Sequence, residues 1–227
     1  MATTTRPSYQ IHKTSQLPAM DCNWDAPVWG QADVAVVAQF QPDGSDHRPR
    51  TEARLLHHEE GLCGIFKVED QYVRATHTQF QSNVYLDACV ELFIRPKADK
   101  GYMNFEMNCC GTLLHYYIED WRPKGDRFEK FTVVPEEHGE RIEVVGSFDK
   151  PVDPEIAEPV TWCLQYFIPF RHFEEYVGPL ETGTGAVWYG NFNKLAVECS
   201  HPHFATWAPI GENNFHQPDK FAPMVFA

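Results

Sequence analysis

The chain has 227 residues, with 19 Lys+Arg against 32 Asp+Glu and a formal charge of −13. That length fits one large all-β domain or two small ones, and the 43% of hydrophobic residues supplies a core and excludes wholesale disorder. The acid excess argues against nucleic acid and against an anionic membrane surface as partners, because both repel a polyanion. Aromatic content is high, with 16 Phe, 9 Tyr and 6 Trp. Such residues either fill a core or line a ligand platform, and composition does not choose between the two.

Residues 1–20 read as an extended lead-in, and residues 21–227 as a single domain. The opening MATTTRPSYQIHKTSQ has no apolar run of the kind a signal peptide needs. No stretch approaches the ~20 apolar residues of a membrane-spanning helix. The seven cysteines (Cys22, Cys63, Cys89, Cys109, Cys110, Cys163 and Cys199) are odd in number and form no CxxC pair. Several sit in apolar runs, as small buried hydrophobes do. Reduced cysteines favour the cytoplasm, whereas a removed leader would place the protein outside the cell.

Residues 24–29 (WDAPVW) predict a turn carrying two large apolar plugs. Strands are expected over 51–56, 62–68, 89–95, 102–109, 112–118, 131–135, 141–148, 161–169 and 186–195. β-Branched and aromatic residues dominate these runs, and Gly, Pro, Asp and Asn punctuate them. Residues 71–80 read as a loop or short helix. Residues 169–176 (PFRHFEEY) read as one short helix, with Pro at the first helical position. Residues 196–216 read as a long loop, a feature that is often functional. The fold class is an antiparallel β-sandwich with two sheets, jelly-roll or immunoglobulin-like, and minor helix.

Alternation along the strands separates two faces. Val90, Leu92 and Ile94 share one face of their strand, as do Met103, Phe105 and Met107 of the next. Glu91, Glu106, Asn108, Gln165, Asn191 and Asn193 fall on polar faces and meet if their strands are neighbours. An ordinary solvated sandwich face is the plain reading of such a set. Its Asn and Gln content points further, because those amides both donate and accept hydrogen bonds, as sugar hydroxyls require.

Several motifs resemble one family. Residues 22–29 (CNWDAPVW) resemble the opening turn of the family 9 carbohydrate-binding modules. Residues 55–70 (LLHHEEGLCGIFKVED) are similar to their strand–turn–strand, and residues 83–96 (NVYLDACVELFIRP) to their most recognisable stretch. YMNFEMNCCG at 102–111 resembles a strand of the family 9-like branch, and Trp207 with NFHQP at 214–218 resembles the closing motif. The likeness runs over nearly the whole chain from Asp21.

The resemblance implies a β-sandwich that binds sugar between two stacked aromatic side chains, here Tyr85 and Phe215, over a floor containing Glu91. Asn108 and Asn193 match floor asparagines, with Lys194 beside the second. Glu106 falls where founding members carry a basic residue, and both expected tryptophans are smaller aromatics. Trp121 and Arg122, which follow the polar strand, are additional ligand-binding candidates. The resemblance also implies sugars related to xylan or cellulose, a glycoside hydrolase as a working neighbour, and a structural calcium for which no acidic loop gives a place.

Other readings compete. Glu91 and Glu106 form a candidate acid/base pair for glycoside hydrolysis, although no catalytic residue is assigned and the family-like context is non-catalytic. A third class is a sugar-free protein-interaction domain of the same fold. His57-His58-Glu59-Glu60 and His201-Pro202-His203 read as solvated loops, since no further ligand lies at metal spacing. Cys109-Cys110 has no basic neighbour to form a thiolate.

Overall fold

The computed structural model describes residues 6–125 and 127–227, so the first five residues of the expected lead-in lie outside the described residues. The strands are β1 (Tyr9–Lys13), β2 (Ala35–Val37), β3 (Gln39–Phe40), β4 (Arg50–His57), β5 (Gly61–Asp70), β6 (Val73–Ala75), β7 (Cys89–Arg95) and β8 (Tyr102–Asn108). The second half carries β9 (Leu113–Lys124), β10 (Arg127–Val133), β11 (Glu143–Gly146), β12 (Val152–Ile156), β13 (Val160–Pro169), β14 (Val187–Ala196), β15 (His203–Thr206) and β16 (Ala222–Phe226). Two helices, α1 (Glu136–Gly139) and α2 (Phe170–Val177), are short.

One sheet runs β10-β9-β8-β7-β14-β16-β1, with β15 on β14 and β3 on β15. The other runs β1-β4-β5-β13-β11, with β2 on β4. β1 belongs to both: Tyr9 to Ile11 pair with β16, and His12 and Lys13 pair with β4. Both of these pairings are parallel, a departure from the expected all-antiparallel sandwich. Tyr9 and Ile11 are buried while Gln10 and His12 are half-buried, and this alternation is what makes the lead-in a strand.

The main core lies between the sheets. Val90, Leu92, Met103, Phe105, Trp162, Leu164 and Phe192 are fully buried there, as alternation predicts. Trp24 and Trp29 plug a smaller cluster with Leu56, Cys63 and Ile65. α2 begins one residue later than expected, after Pro169, and ends at Gly178, whose φ of +73° suits a residue without Cβ. Residues 71–80 contain β6, which pairs with β12. The 196–216 loop contains β15, so it is in part a sheet strand. β12 carries Pro154 and follows Pro151, which masked its strand character.

The outer face of the first sheet is not a solvated face. Cys89, Phe93, Tyr102, Leu114, Ile118 and Leu195 form a second buried cluster there with Ile210, Phe215 and Phe221. The segment after β15 folds over this face and dries most of it. The polar residues that remain occupy its centre.

Candidate functional site

Three strands in register build the floor. Glu91 of β7 stands opposite Glu106 of β8 on one side and Asn193 of β14 on the other. Both carboxylates are buried, with 2% and 4% exposure. Asn193 Nδ2 donates to Glu91 Oε2 at 3.0 Å, and Asn104 Nδ2 donates to Glu106 Oε1 at 2.7 Å. Asn104 is fixed in turn by accepting from the Tyr116 amide at 2.6 Å. Burial, and then the charge of Glu106, hold the Glu91 carboxyl well above the usual range. Burial pushes Glu106 up to about 7, against the stabilising bond from Asn104.

Above this floor opens a cavity of about 540 Å³, within the size range of small-molecule sites. Glu91, Glu106 and Asn104 line its base, and Tyr85, Tyr116, Phe128, Phe204 and Phe215 supply aromatic walls. Arg127, Asn213, Asn214 and His216 also line it, together with Asn83, Phe93, Leu114 and Leu195. Burial lowers His216 to about 4, and its Nδ1 lies 2.7 Å from the Tyr102 hydroxyl. Arg127 Nη1 donates to the Tyr116 hydroxyl at 3.2 Å.

Tyr85 is presented by a 3-10 turn, Val84–Leu86. Val84 is fully buried and the Leu86 carbonyl accepts from Val197 and Glu198, so the residue between them is turned outward at 37% exposure. Asp87 locks the turn from behind by accepting from the Thr76 and His77 amides and from Asn108 Nδ2 at 2.8 Å. Burial raises the Tyr85 phenol, as do the Glu106 and Tyr116 side chains, while Arg127 opposes them.

The structure thus brings Tyr85, Glu91, Glu106 and Phe215 together around one cavity. The other candidates lie outside its lining, each for an identifiable reason. Asn193 stands behind Glu91 as its hydrogen-bond donor. Asn108 is fully buried, and its amide is spent on Asp87 and the His77 carbonyl. Lys194 is one residue from Asn193, so alternation sends it to the opposite face, into the core. There its Nζ lies 3.4 Å from Asp70 Oδ2, 2.7 Å from His203 Nε2 and 5.7 Å from the Trp162 ring centre. Trp121 packs at the edge of the outer cluster. Arg122 is exposed and donates from Nε to Asp120 at 3.0 Å. These two lie near the end of β9, just before the turn at Gly125.

Sequence reasoning missed Asn104, Tyr116, Arg127, Phe128 and His216. Asn104 carried a usable signal, since it shares the Glu106 face of β8. The β10 residues carried none, because nothing in the sequence folds that hairpin toward the floor. Among the described residues, no group of three or more His, Cys, Asp or Glu side chains is arranged to hold a metal ion. No residue set is therefore assigned to the structural calcium.

A comparison with curated proteins found no match. Among solved structures, one described as a putative carbohydrate-binding protein from Bacteroides uniformis superposes with a TM-score of 0.83 at 24% identity, covering 98% of this chain and 100% of that one. A family 9 carbohydrate-binding module from Caldicellulosiruptor kristjanssonii in complex with cellotriose gives 0.60 at 12% identity, covering 97% and 93%. Another structure of a family 9 module from that organism, in complex with glucose, gives 0.58 at 13%, covering 96% and 95%. These likenesses show the β-sandwich fold. The sequence model of carbohydrate-binding family 9 matches residues 29–226, nearly the whole chain, and the protein belongs to that family.

Proposed function

We propose that the cavity over β7, β8 and β9 is where this protein binds a saccharide, without cleaving it. The observation that carries the reading is the joint lining of one cavity by exposed Tyr85, by Phe215 and by the buried Glu91–Glu106 pair. A pyranose has an apolar C–H face that gains about 25 cal/mol per Å² on burial against aromatic rings. Its hydroxyls donate to carboxylates in charge-assisted hydrogen bonds. Asn104 and the asparagines at 213 and 214 add groups that both donate and accept.

Binding suits the geometry better than hydrolysis. A glycosidase needs its two carboxyl groups flanking the scissile bond. Glu91 and Glu106 stand side by side on one floor, facing the same way. Glucose and cellotriose, bound by the structural neighbours, are the first ligands to try, followed by xylo-oligosaccharides. A glycoside hydrolase as working neighbour remains part of the proposal.

Calorimetric titration of the intact protein and of Tyr85→Ala with mono- and oligosaccharides tests the reading. Saturable binding that Tyr85→Ala abolishes is expected. Absence of binding to every sugar by the folded wild type would overturn it.

A further inference from the structure

Among the described residues, no Lys, Arg or His side chain pairs with either of the two carboxylates of the cavity floor. One oxygen of each is taken by an asparagine amide, Glu91 Oε2 by Asn193 and Glu106 Oε1 by Asn104. Among the described residues, Glu91 Oε1 and Glu106 Oε2 have no protein hydrogen-bond partner, and both side chains line the cavity. Every element around the pair contributes a group that leaves this charge standing. Cys89 on β7 and Tyr102 on β8 have their ionisation pushed upward by burial and by the pair itself. Tyr85 from its turn and Tyr116 from β9 bring phenols. His216 from the closing segment is neutral at neutral pH. Arg127 from β10 is, among the described residues, the one permanent cation in the lining; it is exposed and bonded to the Tyr116 hydroxyl, not to either carboxylate. Lys194 is held on the far face by Asp70.

We infer that the ligand of this cavity carries an amino group, and that it is an amino sugar whose ammonium seats between the free oxygens of Glu91 and Glu106. The inference rests on the saccharide reading above and narrows it to a substrate class. An ammonium offers three donors. Two meet the unpartnered carboxylate oxygens, and the charge also favours the aromatic walls through cation–π attraction. In the empty site the buried pair relieves its repulsion by retaining a proton. The ammonium takes that proton's place, so binding expels it into solvent. Affinity for an amino sugar therefore rises with pH while the pair is protonated. A neutral sugar shows no such gain.

The experiment is calorimetry on the intact protein with the methyl glycosides of glucosamine and galactosamine, against those of glucose and galactose. Titrations at pH 5.5 and 7.5, in two buffers of different ionisation enthalpy, read affinity and proton exchange together. At least one amino sugar is expected to bind about tenfold or more tighter than its neutral parent at pH 7.5, with more protons released per ligand at pH 5.5, where both carboxyls are protonated beforehand, than at pH 7.5. In the isosteric double variant Glu91→Gln/Glu106→Gln that ratio falls to about one, since no charge remains to reward the ammonium. If the neutral parents bind as tightly as the amino sugars at pH 7.5, the inference is overturned and the saccharide reading stands. If none of the four binds, the inference is overturned, and the oligosaccharide titrations described above decide the saccharide reading separately. The wild-type comparison decides the matter even where the double variant does not fold.

Discussion

Glu91 and Glu106 stand side by side across a single strand pairing and point to the same sheet face, both buried, each steadied by one asparagine. Burying such a pair costs stability. Glu106 is raised from 4.5 to about 7 in the folded protein. A raised carboxyl contributes its stability in full below pH 4.5 and loses it as pH rises through about 7. Glu106→Gln keeps an oxygen for Asn104 and removes the charge. It is expected to stabilise the protein by about 2–3 kcal/mol at pH 8 and to change little at pH 4.5. Urea denaturation at the two pH values checks this, and equal effects at both would contradict it.

A second titrating pair acts in the opposite sense. His115 Nε2 lies 2.7 Å from His172 Nε2 in the core, and both rings are fully buried. Burial lowers His172 from 6.5 to about 4, and His115 falls well below its ordinary value for the same reason. Unfolded histidines take up protons near pH 6.5 and these do not, so stability is whole above pH 6.5 and declines as pH falls toward 4. His172→Leu removes one titrating group. The decline across that window should become shallower by up to about 1.4 kcal/mol per pH unit. Thermal unfolding followed from pH 7 to 4 reads the slope.

Lys194 separates structure from function. Its ammonium meets Asp70 inside the sandwich, and Asp70 also accepts from Trp162 Nε1 at 3.1 Å. Lys194→Met leaves that carboxylate short of its cation and is expected to cost about 3–5 kcal/mol. Sugar affinity, measured below the new melting transition, should stay within about twofold.

The aromatic and asparagine variants should sort by burial. Tyr85→Ala removes an exposed ring, so stability changes by less than about 1 kcal/mol while binding is lost. Phe215 is only 8% exposed and packs in the outer cluster. Its alanine variant should lose about 3 kcal/mol as well as affinity. Asn108→Ala strips a donor from buried Asp87, costs about 1–3 kcal/mol and weakens binding by loosening the turn that presents Tyr85. Calorimetry paired with denaturant titration distinguishes the three patterns.

Much of the sandwich was legible because its central strands alternate cleanly. Phe105 and Trp162 lie in the core that their spacing predicts, and the Glu91–Glu106 pairing follows from two adjacent strands with acids on one face. Strand β1 was hidden because five residues carry too little pattern. β12 was hidden because prolines argue against strands. The cavity wall was illegible for a different reason. Arg127 and Phe128 meet the floor only through the path of the β9–β10 hairpin, and one chain's residue pattern does not encode that curvature. Lys194 was misplaced by adjacency: neighbours along a strand point to opposite faces, so standing next to Asn193 was evidence against a shared site.

The order of strands has a consequence for how this site can change. Its floor is anchored in the middle of the sheet, where β7 and β8 are paired on both sides. Arg127 and Phe128, by contrast, stand on β10, which ends the strand order. Terminal strands open more readily than central ones and tolerate substitution better. On the proposed reading of the cavity, recognition is divided between a floor held on both sides by sheet pairing and a wall carried on a terminal hairpin. Substitutions in the β9–β10 hairpin can then reshape the cavity wall while the paired strands that carry the acidic floor stay undisturbed.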